Sequence, residues 1–286
     1  MKGAPDLLVI DLDGTLLGPR GEVSEANGQA LAAARDAGVD VMIATGRTHA
    51  ECGEILQAID YEGPLVVASG AALVNWPSGE TLEKRPLAVE DVRALVESVQ
   101  GHDCAALLLK DRHAVGYDYL IVDEDELHPV SRWWFDLHGL QTRSVSSLSE
   151  DEHEGHTLRV ASIGEPQHMS IAAMTVQDRL GDRVACRQWP AVGRQGEQVN
   201  MLEAFGRGVD KWSMVEVHCR RQGIDPTRVA AIGDGLNDIE LLAGAGWGIA
   251  VENAEAAVLA AADARTRSHA DDGVAHAVHR LLDGWS

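Results

Sequence analysis

Near its start the chain reads Val9-Ile10-Asp11-Leu12-Asp13-Gly14-Thr15. The apolar run that leads into this stretch, Leu7 to Ile10, has no polar alternation, which is typical of a strand buried on both faces of a parallel sheet. Asp11 and Asp13 lie two positions apart, where side chains of an extended segment point the same way and can reach one point. The stretch therefore predicts a buried parallel strand with two carboxylates at its carboxyl end.

The last third of the chain repeats this design in the stretch Ala231-Ile232-Gly233-Asp234-Gly235-Leu236-Asn237-Asp238. Ligands of parallel sheets bind at the carboxyl ends of the strands, where both acidic stretches are expected to lie. Converging carboxylates repel one another unless a hard cation lies between them, and oxygen ligands beside a phosphate-bearing substrate favour Mg²⁺. Such acids also occur by chance and as helix caps. Because two strands end in matching acidic stretches, a magnesium site explains the pattern better than chance or helix capping.

The composition limits the classes of protein to which this chain can belong. Its 286 residues are enough for one large domain or two moderate ones. Acidic residues outnumber basic ones by 45 to 24, a formal net charge of -21. This charge argues against a nucleic-acid partner, because phosphate contacts need clustered Lys and Arg. We expect no membrane span, since no apolar stretch is long enough. Scattered cysteines and an N-terminus without a signal-peptide pattern favour a reduced, cytoplasmic protein.

The first and last thirds of the chain alternate between strand and helix patterns, which implies parallel pairing with right-handed crossovers. Ser24 is the predicted N-cap of a helix that runs through Ala37. A hairpin is predicted from Ala72 to Leu82 around Pro77-Ser78-Gly79. The apolar periodicity predicts strands at residues 7–12, 39–44, 64–68, 229–232 and 247–250, and helices at 48–59, 211–222, 238–243, 254–262 and 274–282.

The middle of the chain mixes short strands and helices, without glycine and acid at the strand ends. Helices are predicted at residues 90–99 and 166–180, and strands at 105–109, 114–122, 158–163 and 184–189. We therefore predict an α/β fold with a Rossmann-like, doubly wound parallel sheet core and an inserted α+β cap. Residues 1–84 and 196–286 form the predicted core, and residues 85–195 form the predicted cap.

The chain resembles the haloacid dehalogenase-like (HAD) superfamily of hydrolases, in particular its Cof-type small-molecule phosphatases, which have a large α/β cap. The resemblance covers nearly the whole chain in ordered pieces: Asp11-Leu12-Asp13-Gly14-Thr15, Thr45-Gly46-Arg47, Lys211, Gly233 to Asp238 and, more softly, Ala245 to Ala254. The chain departs from the pattern after the third strand. Many relatives have Asn-Gly-Ala where this chain has Ser69-Gly70-Ala71, so no substrate contact is carried over to that position.

The resemblance implies catalytic roles for three side chains. Asp11 is the implied nucleophile, which forms an aspartyl-phosphate intermediate, and its place at the end of a buried strand fixes its direction. Asp13 is implied to protonate the leaving oxygen and then to deprotonate the attacking water. Lys211, at the start of a predicted helix, is implied to balance charge on the nucleophile and the phosphoryl oxygens. Without the motif context, Lys211 reads as an ordinary surface lysine.

Phosphate and substrate binding is expected at Thr45, Gly46 and Arg47, together with Lys211. A hydroxyl with free backbone amides ahead of a helix makes a small anion nest, although such a tripeptide also occurs by chance. Arg47 can either contact the substrate or pair with a carboxylate of the core.

The implied cofactor is Mg²⁺. By resemblance its ligands are a carboxylate oxygen of Asp11, the backbone carbonyl of Asp13 and the side chain of Asp234. Asn237 and Asp238 are expected to orient these ligands or to bind a water molecule on the metal, and helix capping is an alternative that is compatible with that role.

These features predict a Mg²⁺-dependent phosphatase that hydrolyses a small phosphorylated metabolite, such as a sugar phosphate, as a monomer or homodimer without nucleic-acid or membrane partners. One alternative is a phosphomutase, in which the phosphoryl group returns to the substrate, although such mutases generally have a smaller helical cap. Another is a non-catalytic protein that binds a phosphorylated ligand. The chain retains Asp11, Asp13, Lys211 and Asp234, which argues against this alternative. P-type ATPases share the aspartyl chemistry but require membrane helices.

Overall fold

The computed structural model describes residues 3–102, 104–192 and 196–285, which form two compact units. The first unit comprises residues 1–83 and 210–286, and the second comprises residues 84–209. The strands are β1 (Leu7–Ile10), β2 (Asp40–Ala44), β3 (Gly63–Val67), β4 (Ala72–Trp76), β5 (Thr81–Lys84), β6 (Ala106–Lys110), β7 (Tyr119–Val122), β8 (Thr142–Val145), β9 (Thr157–Gly164), β10 (Val184–Val192), β11 (Gln198–Gly206), β12 (Val229–Gly233), β13 (Trp247–Ala250) and β14 (Ala264–Arg265).

The α-helices follow the same numbering along the chain. They are α1 (Glu25–Asp36), α2 (Gly53–Ala58), α3 (Val89–Gln100), α4 (Arg112–Val115), α5 (Pro129–His138), α6 (Pro166–Leu180), α7 (Lys211–Gln222), α8 (Ile239–Gly244), α9 (Ala256–Ala261) and α10 (Gly273–Leu282). In the part of the chain that the structure describes, none of the helices has both the length and the apolar character needed to cross a bilayer.

The first unit contains an eight-stranded sheet in the order β14-β13-β12-β1-β2-β3-β4-β5. The pairs from β14 to β3 are parallel, and β4 runs antiparallel to β3. Every residue of β1 and of β12 is buried, as the unbroken apolar runs predict. The parallel sheet with its helices and the second, mixed unit confirm the predicted α/β fold class.

The order of the strands reverses direction between β1 and β12. From β1 the chain proceeds to β2 and β3 on one side, and from β12 it proceeds to β13 and β14 on the other. Connections leave such a junction in opposite directions, which opens a crevice at the carboxyl ends of the two strands. Ile10 pairs with Ile232, so the loops after β1 and β12 begin side by side at this crevice.

Two helices of the first unit begin after a side chain that accepts a hydrogen bond from a backbone N–H of the first turn. The Ser24 hydroxyl accepts the backbone N–H of Asn27 at 3.1 Å at the start of α1. The Asp210 carboxylate accepts the N–H of Ser213 at 2.8 Å at the start of α7. Each cap satisfies a backbone donor that has no partner within the helix. The second cap also fixes the position of Lys211, the first residue of α7.

The second unit contains a six-stranded sheet in the order β10-β11-β9-β6-β7-β8, with all pairs antiparallel except β7 with β8. Helices α3 and α6 cover one face of it. Their apolar stripes, which include Val92, Val96, Met169 and Val176, pack into a buried core with Leu108 and other side chains of the sheet. This unit therefore has its own hydrophobic core.

The first boundary between the units falls within β5, between two consecutive residues. Glu83 accepts a hydrogen bond from Arg221 of α7 at 2.7 Å, so it is held within the first unit. The Nζ atom of Lys84 donates to Asp111 of the second unit at 2.7 Å. The predicted boundary at residues 84 and 85 differs from this point by one position.

The second boundary corrects the sequence prediction. Gln195, the predicted end of the cap, lies outside the described residues, and the structure places the boundary between Val209 and Asp210. The strand Gln198–Gly206 pairs with β10 and β9 inside the second sheet, so it does not belong to the core as predicted.

Two further differences arise in the second unit. Only the end of the predicted strand at 114–122 is a strand, because residues Arg112–Val115 form a helical turn that Gly116 ends with a left-handed φ of 86°. The segment Trp133-Trp134-Phe135, for which the sequence predicts no element, lies in the middle of α5.

Candidate active site

An acidic cluster occupies the crevice between β1 and β12. Asp11 follows β1 directly, and Asp234 and Asp238 lie in the turn after β12. One carboxylate oxygen from each of the three lies within 4.8 Å of the other two. Carboxylates at this separation repel one another strongly in a partly desolvated crevice, and a hard divalent cation with oxygen ligands offsets that repulsion. The donor set therefore fits a divalent metal ion.

Lys211 is the positive charge beside this cluster. Its side chain is fully buried, and its Nζ atom donates to Asp11 Oδ1 and to Asp238 Oδ1, both at 2.6 Å. Burial lowers the pKa of the ammonium, but the charges and hydrogen bonds of the two carboxylates outweigh it and raise the pKa of Lys211 above its usual value. Lys211 is thus charged and fixed, not the surface lysine that the residue alone suggests.

Burial acts on the carboxylates of the cluster in the opposite sense. Desolvation raises the pKa of Asp11 well above its usual value, and the nearby Lys211 only partly counteracts it. Desolvation also raises the pKa of Asp234, against the lowering effect of its hydrogen bond from Thr15. Both groups are costly to keep ionised without a further cation, which supports the fit of a metal ion to this cluster.

Asp238 uses both carboxylate oxygens inside the protein. Its Oδ1 accepts from Lys211, and its Oδ2 accepts the backbone N–H groups of Asp234 at 3.2 Å and Gly235 at 3.0 Å. A Cβ atom on Gly233 would lie 2.6 Å from the Asp238 carboxyl carbon, so only glycine fits there. Asp238 therefore holds the loop and Lys211 in position, while Asp11 and Asp234 retain oxygens for a ligand.

The turn after Asp11 brings a hydroxyl to the second acidic loop. Thr15 Oγ1 donates to Asp234 Oδ1 at 2.8 Å. Gly14 adopts a left-handed φ of 74°, and a Cβ atom there would lie 2.3 Å from Asp234 Oδ2. Asn253 Nδ2 donates to the Gly14 carbonyl at 2.8 Å and fixes the turn from outside. Thr15 and Asn253 lie within the sequence motifs, but the sequence alone predicts no role for either.

Asp13 and Arg47 form a two-pronged ion pair. Arg47 donates from Nη2 to Asp13 Oδ1 at 2.6 Å and from Nε to Asp13 Oδ2 at 2.8 Å. Its Nη1 donates to the Glu51 carbonyl at 3.3 Å. Burial lowers the pKa of Arg47, and the hydrogen bonds and charge of Asp13 raise it by more. The sequence left two roles open for Arg47, and this structure contains its pair with a carboxylate of the first unit. The Asp13 side chain in this pair is 56% exposed.

Thr45 and Gly46 follow β2, which lies next to β1 in the sheet. Thr45 is fully buried, and its Oγ1 accepts the Arg47 N–H at 3.1 Å. Asn237 lies near Gly46, with its Nδ2 atom 3.7 Å from where a Cβ of Gly46 would be. The three strand ends after β12, β1 and β2 thus place the predicted site residues in one region of the first unit.

Comparison with known proteins agrees with this geometry. A sequence model of the haloacid dehalogenase-like hydrolases matches residues 8–278. The chain belongs to this family. It is a Cof-type member, as the sequence predicts, and several of its relatives are named as phosphatases, so the HAD hydrolase is a phosphoric monoester hydrolase.

Two of these relatives match almost end to end. The pyridoxal phosphate phosphatase YbhA of Escherichia coli (strain K12) is 28% identical over 289 residues, with 96% of this chain and 98% of the relative covered. The 5-amino-6-(5-phospho-D-ribitylamino)uracil phosphatase YcsE of Bacillus subtilis (strain 168) is 25% identical over 279 residues, with 96% and 95% covered. The matched length includes both units of the HAD hydrolase.

Solved structures show the same fold. A haloacid dehalogenase-like hydrolase from Bacteroides thetaiotaomicron has a TM-score of 0.77 at 26% identity, with 97% of this chain and 99% of that chain covered. A protein from Thermotoga maritima has a TM-score of 0.77 at 20% identity, with 96% and 97% covered, which is a likeness of fold. HAD phosphatases generally use a divalent metal ion, and the acidic cluster of this chain offers a place for one.

Proposed function

We propose that this HAD hydrolase is a Mg²⁺-dependent phosphatase that hydrolyses a small phosphorylated metabolite through an aspartyl-phosphate on Asp11. The observation that carries the proposal is the position of Asp11, fixed by the buried Lys211 at 2.6 Å and grouped with Asp234 at the switch point of the sheet. Release of inorganic phosphate from a panel of phosphorylated metabolites in the presence of Mg²⁺ tests it. Absence of release from every member of the panel would overturn it.

In the first step an Asp11 oxygen attacks the phosphorus atom. The bond from phosphorus to Asp11 forms, the ester bond breaks, and Asp13 gives its proton to the leaving alcohol oxygen. In the second step Asp13 takes a proton from water, the water oxygen bonds to phosphorus, and the bond to Asp11 breaks. Inorganic phosphate leaves and both side chains return to their starting states. Lys211 balances the charge on Asp11 before the first step and on the phosphoryl oxygens afterwards.

Asp11, Asp234 and the backbone carbonyl of Asp13 are the groups that would hold Mg²⁺. Asp238 is committed to Lys211 and two backbone N–H groups, which favours a supporting role for it. When bound, the ion supplies positive charge to the acidic cluster and to the phosphoryl oxygens. The backbone N–H groups near Gly46 and the Thr45 hydroxyl are proposed to hold the phosphate, and Arg47 pairs with ionised Asp13, the form that follows donation of its proton to the leaving alcohol.

The second unit, residues 84–209, is proposed to act as the cap that selects the metabolite. By their names, the two relatives above act on phosphate esters of quite different alcohols. The phosphate group is common to such substrates, and the acidic cluster and Lys211 are proposed to act on that group. This division assigns chemistry to the first unit and much of the selectivity to the second.

Removal of divalent metal should abolish activity. EDTA leaves Asp11 and Asp234 without the charge that they need, so phosphate release should stop, Mg²⁺ should restore it, and Ca²⁺ should restore it poorly because it prefers looser coordination. Mg²⁺ should also raise the melting temperature of the wild-type protein and not that of Asp234→Asn. Full activity in chelator, or an equal Mg²⁺ shift in Asp234→Asn, would remove the ion from this site.

Replacement of Asp13 should affect poor leaving groups most. Asp13→Asn cannot donate a proton, so hydrolysis of an alkyl phosphate should fall by roughly a hundredfold to ten-thousandfold, and hydrolysis of nitrophenyl phosphate should fall much less. The measurement is kcat for both esters in both proteins. Asp36→Asn, an exposed aspartate at the end of α1, is the matched control. Equal losses for the two esters would contradict the general-acid role.

A further inference from the structure

Asp13 lies beside a glycine in an irregular turn. Within the turn Leu12–Leu16, Asp13 and Gly14 have non-helical backbone angles, and the φ of Gly14 is left-handed at 74°. Glycine has the widest backbone freedom, so a side chain next to it needs a tie from elsewhere in the protein to keep one position. The ion pair with Arg47 is such a tie, but only for the ionised carboxylate. The protonated carboxyl, which gives its proton to the leaving alcohol, needs another.

The side chain of Asn253 supplies a tie to this turn. Its Nδ2 atom donates to the Gly14 carbonyl at 2.8 Å, and its Oδ1 atom accepts the backbone N–H of His269 at 2.8 Å. The Nδ1 atom of His269 lies 2.8 Å from the Leu17 carbonyl, and it donates there because a carbonyl oxygen can only accept. Asn253 and His269 thus form a linked pair that holds the turn at two carbonyls, three residues apart.

Asn253 is also fixed relative to the second acidic loop. It lies in the loop after β13, where the N–H of Glu255, two residues further on, donates to the Asp234 carbonyl at 3.2 Å. The backbone around Asn253 therefore follows the loop that carries Asp234. Through its amide, Asn253 joins that loop to the turn that carries Asp13.

We propose that Asn253 is a positioning residue, whose amide holds the Gly14 carbonyl and thereby keeps Asp13 in place for proton transfer to the leaving alcohol. A shift of about 1 Å in a reacting group can lower a rate by as much as about a hundredfold. Asn253 is exposed, so water can partly replace its hydrogen bond, and the expected loss is smaller. This inference rests on the proposed function, in which Asp13 is the general acid.

The test measures kcat/KM of Asn253→Ala for an alkyl phosphate and for nitrophenyl phosphate at saturating Mg²⁺. The value for the alkyl phosphate should fall by about five- to tenfold, the effect of one lost hydrogen bond. The value for nitrophenyl phosphate should fall by less than about twofold, because its leaving group needs little help from an acid. Glu252→Ala, at the exposed neighbouring position, is the matched control and should leave both values unchanged.

A double variant separates positioning of the acid from a structural role. In the Asp13→Asn background the acid is already absent, so adding Asn253→Ala should lower kcat/KM for the alkyl phosphate by less than about twofold. A residue that only supported the fold would lower the values for both esters, in both backgrounds. Equal losses for the two esters, or the full five- to tenfold loss in the Asp13→Asn background, would therefore overturn the inference.

The isosteric variant Asn253→Asp tests whether the amide donor itself is needed. Aspartate keeps the oxygen that accepts from His269, but at neutral pH it has no donor for the Gly14 carbonyl. Its loss for the alkyl phosphate should be at least as large as that of Asn253→Ala, and a wild-type value would overturn the inference. An active wild-type enzyme with an unaffected Asn253→Ala variant overturns the inference alone, whereas a wild-type enzyme that hydrolyses no phosphate ester overturns the proposed function.

Discussion

Asp11→Asn should abolish phosphate release while the protein stays folded. The amide of asparagine is not a nucleophile for phosphorus, and loss of a covalent nucleophile elsewhere costs far more than about a thousandfold in kcat. The side chain keeps its shape, and its Oδ1 atom can still accept the hydrogen bond that Lys211 now gives Asp11 at 2.6 Å.

The same substitution should leave the free energy of unfolding within about 1 kcal/mol of the wild-type value. Burial raises the pKa of Asp11, so its charged form is costly to hold in this crevice, and the neutral amide removes that cost. Lys211 keeps Asp238 as a charged partner. Steady-state kinetics and thermal denaturation of Asp11→Asn and of the control Asp36→Asn check both parts. A folded Asp11→Asn protein with near-native turnover would refute the nucleophile assignment.

Lys211→Met should cause the largest loss of stability. Lys211 is fully buried between Asp11 and Asp238, so its removal leaves two facing carboxylates without their cation. Breaking a buried ion pair by removal of one partner costs about 3–5 kcal/mol. Arg220→Met is the matched control on the same helix, because Arg220 forms an exposed pair with Glu216 whose loss costs about 0.5 kcal/mol or less.

The loss in Lys211→Met should depend on pH with a defined sign. Lys211 is one of the groups that lower the pKa of Asp11 against the effect of burial, so its removal raises the folded-state pKa of that carboxyl further. A carboxyl whose pKa is higher in the folded state binds more protons there, and stability then falls as pH rises through its unfolded pKa of about 4 and above.

The loss relative to wild type should accordingly be smaller in mildly acidic buffer than at neutral pH. Asp238→Asn in the Lys211→Met background should recover part of the stability, because it removes one of the two facing charges. Denaturant unfolding at the two pH values measures these effects. Equal stability losses for Lys211→Met and Arg220→Met would show that the buried cation does not stabilise the site.

The meeting of the acidic residues could be predicted from the sequence because sheet topology enforces it. Asp11 and Asp234 each follow an unbroken apolar run, and parallel strands bring such positions to one edge. Helix α7 was predicted with its observed bounds because Asp210 caps its start and Gly223 ends it with a left-handed φ of 71°. The placement of Lys211 follows from that cap.

Other features depend on packing that local sequence does not encode. Residues Gln198–Gly206 read as part of the core, since only their pairing with β10 and β9 assigns them to the second sheet. In α5 the residues Trp133, Trp134 and Phe135 follow one another, and a short continuous apolar run does not by itself distinguish a helix from a strand. The Asp13–Arg47 pair and the hydrogen bond from Thr15 to Asp234 join residues that are 34 and 219 positions apart, so their side-chain conformations could not be inferred from spacing.

Passage of the phosphoryl group through Asp11 is tested most directly by acid quenching during a single turnover, followed by mass spectrometry of the digested protein. We expect a transient phosphoryl group on the peptide that contains Asp11. The signal should be absent in Asp11→Asn and longer-lived in Asp13→Asn, whose side chain cannot activate water for the second step. A phosphoryl group on another residue, or turnover of the wild-type protein with no phosphorylated peptide at any quench time, would contradict the claim.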